Sequence, residues 1–223
     1  MTDKFVLVNL KQYRNASLDG AKNLLDRLGE VRAPRGIHPG FAVPVYDLAV
    51  LKDRFPRMEI ISQHVDGTPF GPFTGQVSIE ALKKMGIGAS LLNHSERRIP
   101  EKEIEKVLQM AMKQEFKVFL CVERVEEARR FSKMGAEFIS YEPPELIGGD
   151  ISVATAKPEV IEEVISACSE TNTKVLVGAG IKKPEDVQKS MELGAVGILV
   201  ASGVVLASDP PAVLEGFIKA ISR

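Results

Sequence analysis

Short, mostly apolar runs alternate with amphipathic stretches from one end of the chain to the other. The runs predict strands at 5–9, 40–43, 59–63, 89–93, 117–121, 138–142, 174–178 and 196–201. Most are continuous rather than alternating, as in Val6-Leu7-Val8, Val118-Phe119-Leu120 and Gly197-Ile198-Leu199-Val200. A strand that is apolar on both faces is covered on both, which is the situation of a parallel sheet. Between the runs, apolar residues recur at helical spacing: Leu18, Ala21, Leu24, Leu25 and Leu28; then Ile104, Val107, Leu108 and Ala111; then Val160, Ile161, Val164, Ile165 and Cys168. Met85-Gly86, Met134-Gly135 and Leu193-Gly194 each stand between a helical stretch and a strand, where glycine supplies the left-handed cap. Pro158 and Pro184 fall where a first-turn proline is tolerated.

Eight strands alternating with helices leave two architectures, a closed (β/α)8 barrel or a doubly wound open sheet. The 223 residues give about 28 per unit over eight units, compact beside the usual barrel of about 250 residues. No GxGxxG opens a helix after the first strand, so a dinucleotide site has little support. No linker or low-complexity tract divides the chain, which predicts one domain over residues 1–223. One segment stands out as irregular: the Gly- and Pro-rich loop 64–76, from His64 to Gln76. A loop that long in a compact fold is usually functional or engaged in an interface.

Charge changes the picture only by exclusion. Lys and Arg total 29 against 30 Asp and Glu, a balance that argues against a nucleic-acid-binding surface. No stretch nears 18 apolar residues, so no membrane span is expected, and the first residues lack the apolar core of a signal peptide. Trp is absent and aromatics are 6%, so small aliphatics are expected to fill most of the core. Cys121 and Cys168 sit in apolar surroundings and read as buried free thiols of a reducing cytosol.

In a barrel the chemistry gathers at the C-terminal ends of the strands. The first strand ends in Asn9-Leu10-Lys11, the fourth in Asn93-His94-Ser95-Glu96-Arg97-Arg98 and the sixth in Tyr141-Glu142-Pro143-Pro144. Small residues end the seventh (Gly178-Ala179-Gly180) and eighth (Ala201-Ser202-Gly203), where barrels commonly hold a phosphate on backbone N–H groups. Each feature alone has an ordinary reading. Lys11 could snorkel, His94 could be structural, Ser95 could cap the next helix and Glu142 could be a solvated strand end. Together they describe a phosphorylated small molecule meeting a cation, a histidine and a carboxylate in one mouth. No His, Cys or acidic cluster has metal-ligand spacing.

At these residues the chain resembles the triosephosphate isomerase family. The run 93–98 is similar to that family's segment after the fourth strand, and 141–149 to its catalytic glutamate and hinged sixth loop. Residues 71–78 resemble its third loop, and Asn9-x-Lys11 its first strand end. The compact form and the Pro-Pro-Glu-Leu segment look most like the archaeal branch.

The resemblance implies a cofactor-free, metal-free TIM barrel that interconverts dihydroxyacetone phosphate and D-glyceraldehyde 3-phosphate in cytoplasmic glycolysis and gluconeogenesis. By similarity Glu142 is the general base, His94 the neutral electrophile, Lys11 the cation beside the enediolate and Asn9 an orienting group. The family is itself the standard example of this glutamate and neutral-histidine pair. Ser95 is expected to open a helix behind His94, and Glu96 to pair with a lysine. Pro143, Pro144, Glu145, Leu146, Ile147, Gly148 and Gly149 would form the lid. Ile147, Gly148, Gly180, Ala201 and Ser202 would meet the phosphate. Asp150 departs from the family's usual small residue and puts a carboxylate close to the lid's end in sequence. The implied partners are triose phosphates and further copies of the chain, as homodimer or tetramer, joined through loop 64–76, with no nucleic acid and no membrane.

Overall fold

The apolar runs become strands because each is covered twice, by helices outside and by other strands' side chains inside. In the computed structural model, which describes residues 3–143 and 153–222, the eight strands are all parallel. They are β1 (Lys4–Asn9), β2 (Ile37–Val43), β3 (Glu59–Ser62), β4 (Ala89–Leu92), β5 (Lys117–Val122), β6 (Phe138–Tyr141), β7 (Lys174–Val177) and β8 (Gly197–Val200). They pair in sequence order, and β8 closes on β1 through Phe5↔Gly197 to Val8↔Val200. The closed (β/α)8 barrel is therefore the architecture, and the open sheet is not.

The helices are α1 (Asp19–Leu28), α2 (Leu48–Arg54), α3 (Ile79–Lys84), α4 (Glu101–Lys113), α5 (Val125–Lys133), α6 (Val153–Ala156), α7 (Pro158–Ser169), α8 (Pro184–Glu192), α9 (Ser202–Val205) and α10 (Pro210–Ile221). Pro158 and Pro184 open α7 and α8, and Gly86, Gly135 and Gly194 have φ of 77°, 93° and 99° at their caps. The buried face of α4 is Ile104, Val107, Leu108 and Ala111, as its spacing predicts. In α1 the buried residues are Ala21, Leu24, Leu25 and Leu28. Leu18 does not join them. It precedes the helix at φ 54° and is 62% exposed, because its N–H is drawn to Asp47 Oδ2 at 2.9 Å.

The pleat divides the core in two. Outward residues such as Val6, Val8, Leu120, Ile139 and Ile198 pack with the helices. Inward residues Phe5, Leu7, Ile61, Leu91, Phe119, Cys121, Phe138, Leu176 and Leu199 form a separate cluster inside the barrel. Small aliphatics do make up most of the outer cluster, but the lower interior is aromatic. Phe5, Phe119 and Phe138 meet with ring centroids 4.8–5.6 Å apart. A barrel's interior is a packed core rather than a pore, and here three large rings fill its floor.

Candidate functional site

Two residues in strained backbone aim the site's polar groups. Lys11 has φ 48° and Asn93 has φ 59°, left-handed values that are uncommon for a lysine and easier for an asparagine. Asn9 Oδ1 accepts the Lys11 N–H at 3.0 Å and one from Gln63 Nε2 at 3.1 Å. Gln63 Nε2 also reaches the Lys11 carbonyl at 2.9 Å and that of Ala42 at 3.2 Å. Asn9 thus held lines the hollow from the end of β1. Asn93 Nδ2 donates to the Cys121 carbonyl at 3.0 Å, and its Oδ1 accepts from the Ile99 N–H at 3.1 Å. That clamp sets the direction in which His94 leaves the strand.

His94 heads a single 3-10 turn, Ser95–Arg97, and the next α-helix begins only at Glu101. Ser95 therefore opens a helix behind His94, but only a single 3-10 turn, and its effect on the ring comes through one local contact. The Glu96 N–H donates to His94 Nδ1 at 3.2 Å. An Nδ1 that accepts leaves the ring proton on Nε2, so the imidazole is neutral with its donor facing the pocket. Burial and the nearby Lys11 charge both push the His94 pKa below its ordinary value, against the pull of Glu96. Lys11 Nζ pairs with Glu96 Oε1 at 2.7 Å.

Glu142 follows β6, its N–H bonded to the Val122 carbonyl at 2.9 Å. Its carboxylate is buried, and Oε2 lies 3.7 Å from His94 Nε2. Oε2 has no hydrogen-bond partner among the described residues. Burial raises the Glu142 pKa from 4.5 to about 7, opposed by a hydrogen bond to the Cys121 thiol and by the charge of Lys11. The raised Cys121 thiol stays protonated, because it too is buried beside that carboxylate. Gly178 makes the arrangement possible. A Cβ there would stand 2.5 Å from Glu142 Cγ, so only glycine lets the glutamate lie across the end of β7.

These groups line one hollow of about 520 Å³, counted with its open mouth, together with Gly180, Ala201 and Ser202. Gly180 has φ 71°, and Ala201 stands just before the short helix α9, which opens at Ser202. The first N–H groups of a helix have no acceptor within it, so this turn offers donors to an anion. Asn15 Nδ2 holds the far end of α9 through the Val205 carbonyl at 2.8 Å. The structure thus brings together Asn9, Lys11, His94, Glu142, Gly180, Ala201 and Ser202, with Glu96 behind Lys11 and Pro143 buried next to the base. Pro144, Glu145, Leu146, Ile147, Gly148, Gly149 and Asp150 lie outside the described residues.

Sequence reasoning passed over two residues. Gln63 entered only as the last residue of a strand, although a polar residue at an inward strand end was a signal. Gly178 entered only as a small residue, because its neighbour across β6 and β7 is set by register (Tyr141↔Val177) and not by local sequence. Among the described residues no group of three or more His, Cys, Asp or Glu could hold a metal, and no helix is long and apolar enough to cross a membrane.

The chain matches the triosephosphate isomerase family model over residues 4–221. It is 46% identical over 214 residues to the triosephosphate isomerase of Thermoplasma volcanium, covering 96% of this chain and 99% of that one. It is 37% identical over 227 residues to the one from Saccharolobus solfataricus, covering 100% and 98%. With the one from Methanosarcina mazei it shares 36% over 223 residues, covering 99% and 100%. A similarity that spans every strand of the barrel, and nearly all of each relative, applies to the fold and its mouth alike: the chain belongs to the triosephosphate isomerase family.

Proposed function

We propose that this isomerase interconverts dihydroxyacetone phosphate and D-glyceraldehyde 3-phosphate through an enediolate, with Glu142 as the general base. The observation that carries the reading is a buried carboxylate of pKa about 7, 3.7 Å from a neutral imidazole's donor nitrogen. A carbon beside a carbonyl is a weak acid. Its proton leaves only if the base is fixed and the developing oxyanion is stabilised in advance. Glu142 takes the proton from carbon 1 and returns it to carbon 2. His94 Nε2–H donates to the carbonyl oxygen, Lys11 balances the charge that grows there, and Asn9 orients the oxygens. A base whose pKa lies near neutrality is partly ionised at neutral pH and still strong enough to take the proton.

The phosphate is held on the N–H groups of Gly180, Ala201 and Ser202. Ile147 and Gly148 add theirs as the lid, Pro143 through Gly149, closes and excludes water. One barrel domain carries all of this, with no metal and no cofactor. The two buried free thiols suit a reducing cytoplasm, where the reaction serves glycolysis and gluconeogenesis.

The assembly is a homodimer, or a tetramer of dimers, joined through loop 64–76. Supporting this, Phe70 and Phe73 are 53% and 44% exposed there, and Val45 and Tyr46 are exposed in a second hollow beside Lys11 and Glu96. Sedimentation tests it, and a fully active monomer at nanomolar concentration removes it.

The reaction is tested by isomerisation of D-glyceraldehyde 3-phosphate in a coupled assay, wild type beside Glu142→Gln, each checked for folding. Wild type should turn over fast and the glutamine variant at least about 10³-fold more slowly. Folded wild type without turnover would sink the reading.

A further inference from the structure

The base has an acidic neighbour that the mechanism above leaves unused. β5 and β6 pair in register as far as Val122↔Tyr141, and the next residue on each is a glutamate, Glu123 beside Glu142. The Glu142 N–H on the Val122 carbonyl carries that pairing one step past the strands. Glu123 is held from two sides. Its N–H donates to Glu127 Oε2 at 2.8 Å, and its Oε1 stands 3.7 Å from Arg98 Nη1. Glu127, on α5, is buried and is the closer partner of that guanidinium. Arg98 follows directly on the turn that carries His94, so its side chain reaches from the end of β4 to the end of β5.

The charges around Glu142 are therefore answered unequally. Glu96 has Lys11 Nζ at 2.7 Å. Glu123 shares one guanidinium with Glu127 and is the farther of the two. Arg124 acts on Glu127, and Gly178 brings no charge from β7. Burial is the main cause of the raised Glu142 pKa, and the negative charges of Glu96 and Glu123 push it the same way. The charge of Arg98 is felt at Cys121, the thiol bonded to Glu142.

We propose that Glu123 is a positioning residue for the reaction, whose partly balanced charge makes Glu142 a stronger base, with Arg98 as the counter-ion that limits the effect. This rests on the isomerase reading above, in which Glu142 takes the proton. A like charge nearby favours the protonated carboxyl, and a base that holds its proton more tightly also removes one more readily. Glu123 acts through Glu142 and not on the substrate. An acidic residue ahead of α5 also suits that helix's N-terminus, so a merely structural Glu123 would move the melting temperature alone.

The test follows the Glu142 carboxyl carbon by NMR in carbon-13 glutamate-labelled protein as pH is varied, assigned by its loss in Glu142→Gln. Kinetics with phosphate-free D-glyceraldehyde run beside it, because a phosphate monoester itself titrates at about pH 6. Glu123→Gln leaves the Arg98–Glu127 pair standing. It should lower the Glu142 midpoint by about half a pH unit, and kcat/KM on the alkaline plateau by about twofold. The control Glu126→Gln removes the same charge from the exposed first turn of α5 and should leave the midpoint at the wild-type value. Arg98→Lys keeps the counter-ion and should also leave it there. Arg98→Met should raise the midpoint, and Glu123→Gln should lower it further in that background than in wild type. If Arg98→Met fails to fold because buried Glu127 loses its partner, Glu123→Gln beside Glu126→Gln still decides. A Glu123→Gln midpoint that matches Glu126→Gln overturns the proposal, and so does one that rises. The NMR titration needs no turnover. A Glu142 that answers to Glu123 in a protein that isomerises nothing would sink the isomerase reading and leave the coupling standing. An active enzyme whose Glu142 ignores Glu123 would sink the proposal alone.

Discussion

Replacing Glu142 by glutamine should change how stability depends on pH, because the native fold buries a carboxylate that water would ionise readily. The carboxyl has an ordinary pKa of 4.5 and one of about 7 in the folded chain. Between those values the folded state holds a proton that the unfolded state has released. Stability therefore falls as pH rises through this window and levels off above it. At about 1.4 kcal/mol for each tenfold change in proton affinity, that difference corresponds to about 3 kcal/mol, most of it falling between pH 5 and pH 8. Glutamine has no charge to lose, so Glu142→Gln should keep that increment. His94 acts with the opposite sign. Its lowered pKa costs stability as pH falls below the ordinary histidine value, so it works against the Glu142 effect at the acid end of the range. The assay is urea unfolding of the two proteins at one concentration, from pH 5 to pH 8. The wild type should lose about 2–3 kcal/mol relative to the variant across that range, and its kcat/KM should rise with a midpoint of about 7. Parallel stability curves would refute the reasoning, since an ionised Glu142 would then cost the fold nothing.

Three other substitutions follow from the geometry. Gly178→Ala places a methyl group against Glu142 Cγ and should lower kcat by about 100-fold in a folded protein, read by kinetics beside a melting curve. Gln63→Ala removes the shared donor of Asn9, Lys11 and Ala42. It should cost about 1–3 kcal/mol in urea unfolding and lower kcat, because Lys11 is no longer held in its left-handed backbone. Phe138→Ala opens a hole in the barrel floor and should cost about 3–5 kcal/mol, while kcat in the protein that remains folded changes by less than about tenfold.

The strands were legible because continuous apolar runs and glycine caps are local. All eight stand within three residues of where the pattern puts them at either end, and Gly86, Gly135 and Gly194 have the positive φ their positions require. The groups of the candidate site were legible for a related reason: a barrel sends each strand's last residues to one mouth, so strand order alone assembles them. What stayed hidden depends on side chains that cross between strands. Gln63 reaches two strand ends, and Glu142 needs an empty volume on β7 that only register explains. The helix expected after His94 is a single 3-10 turn, Ser95–Arg97. Ser95 resembles a cap, but Pro100 lies just before the first residue of α4 and holds the chain extended ahead of it. Leu18 was misassigned because spacing alone cannot register that Asp47, 29 residues on, takes its N–H.

The two separate cores have a consequence for how such a protein can change. Asn9 stands two residues above Leu7 on the inner face of β1, Cys121 above Phe119 on β5, and Gly178 above Leu176 on β7. The reactive tier is thus a further storey on the aromatic and aliphatic column inside the barrel, while the helices lean on a different set of side chains. Adaptation to heat or cold can proceed by remodelling the outer shell, with the column and its top left as they are. A substitution in the column itself is felt first as lost stability of the whole barrel, which carries the site with it. The interior floor, farthest from the substrate, should therefore tolerate less drift than the helix exteriors that lie nearer to solvent.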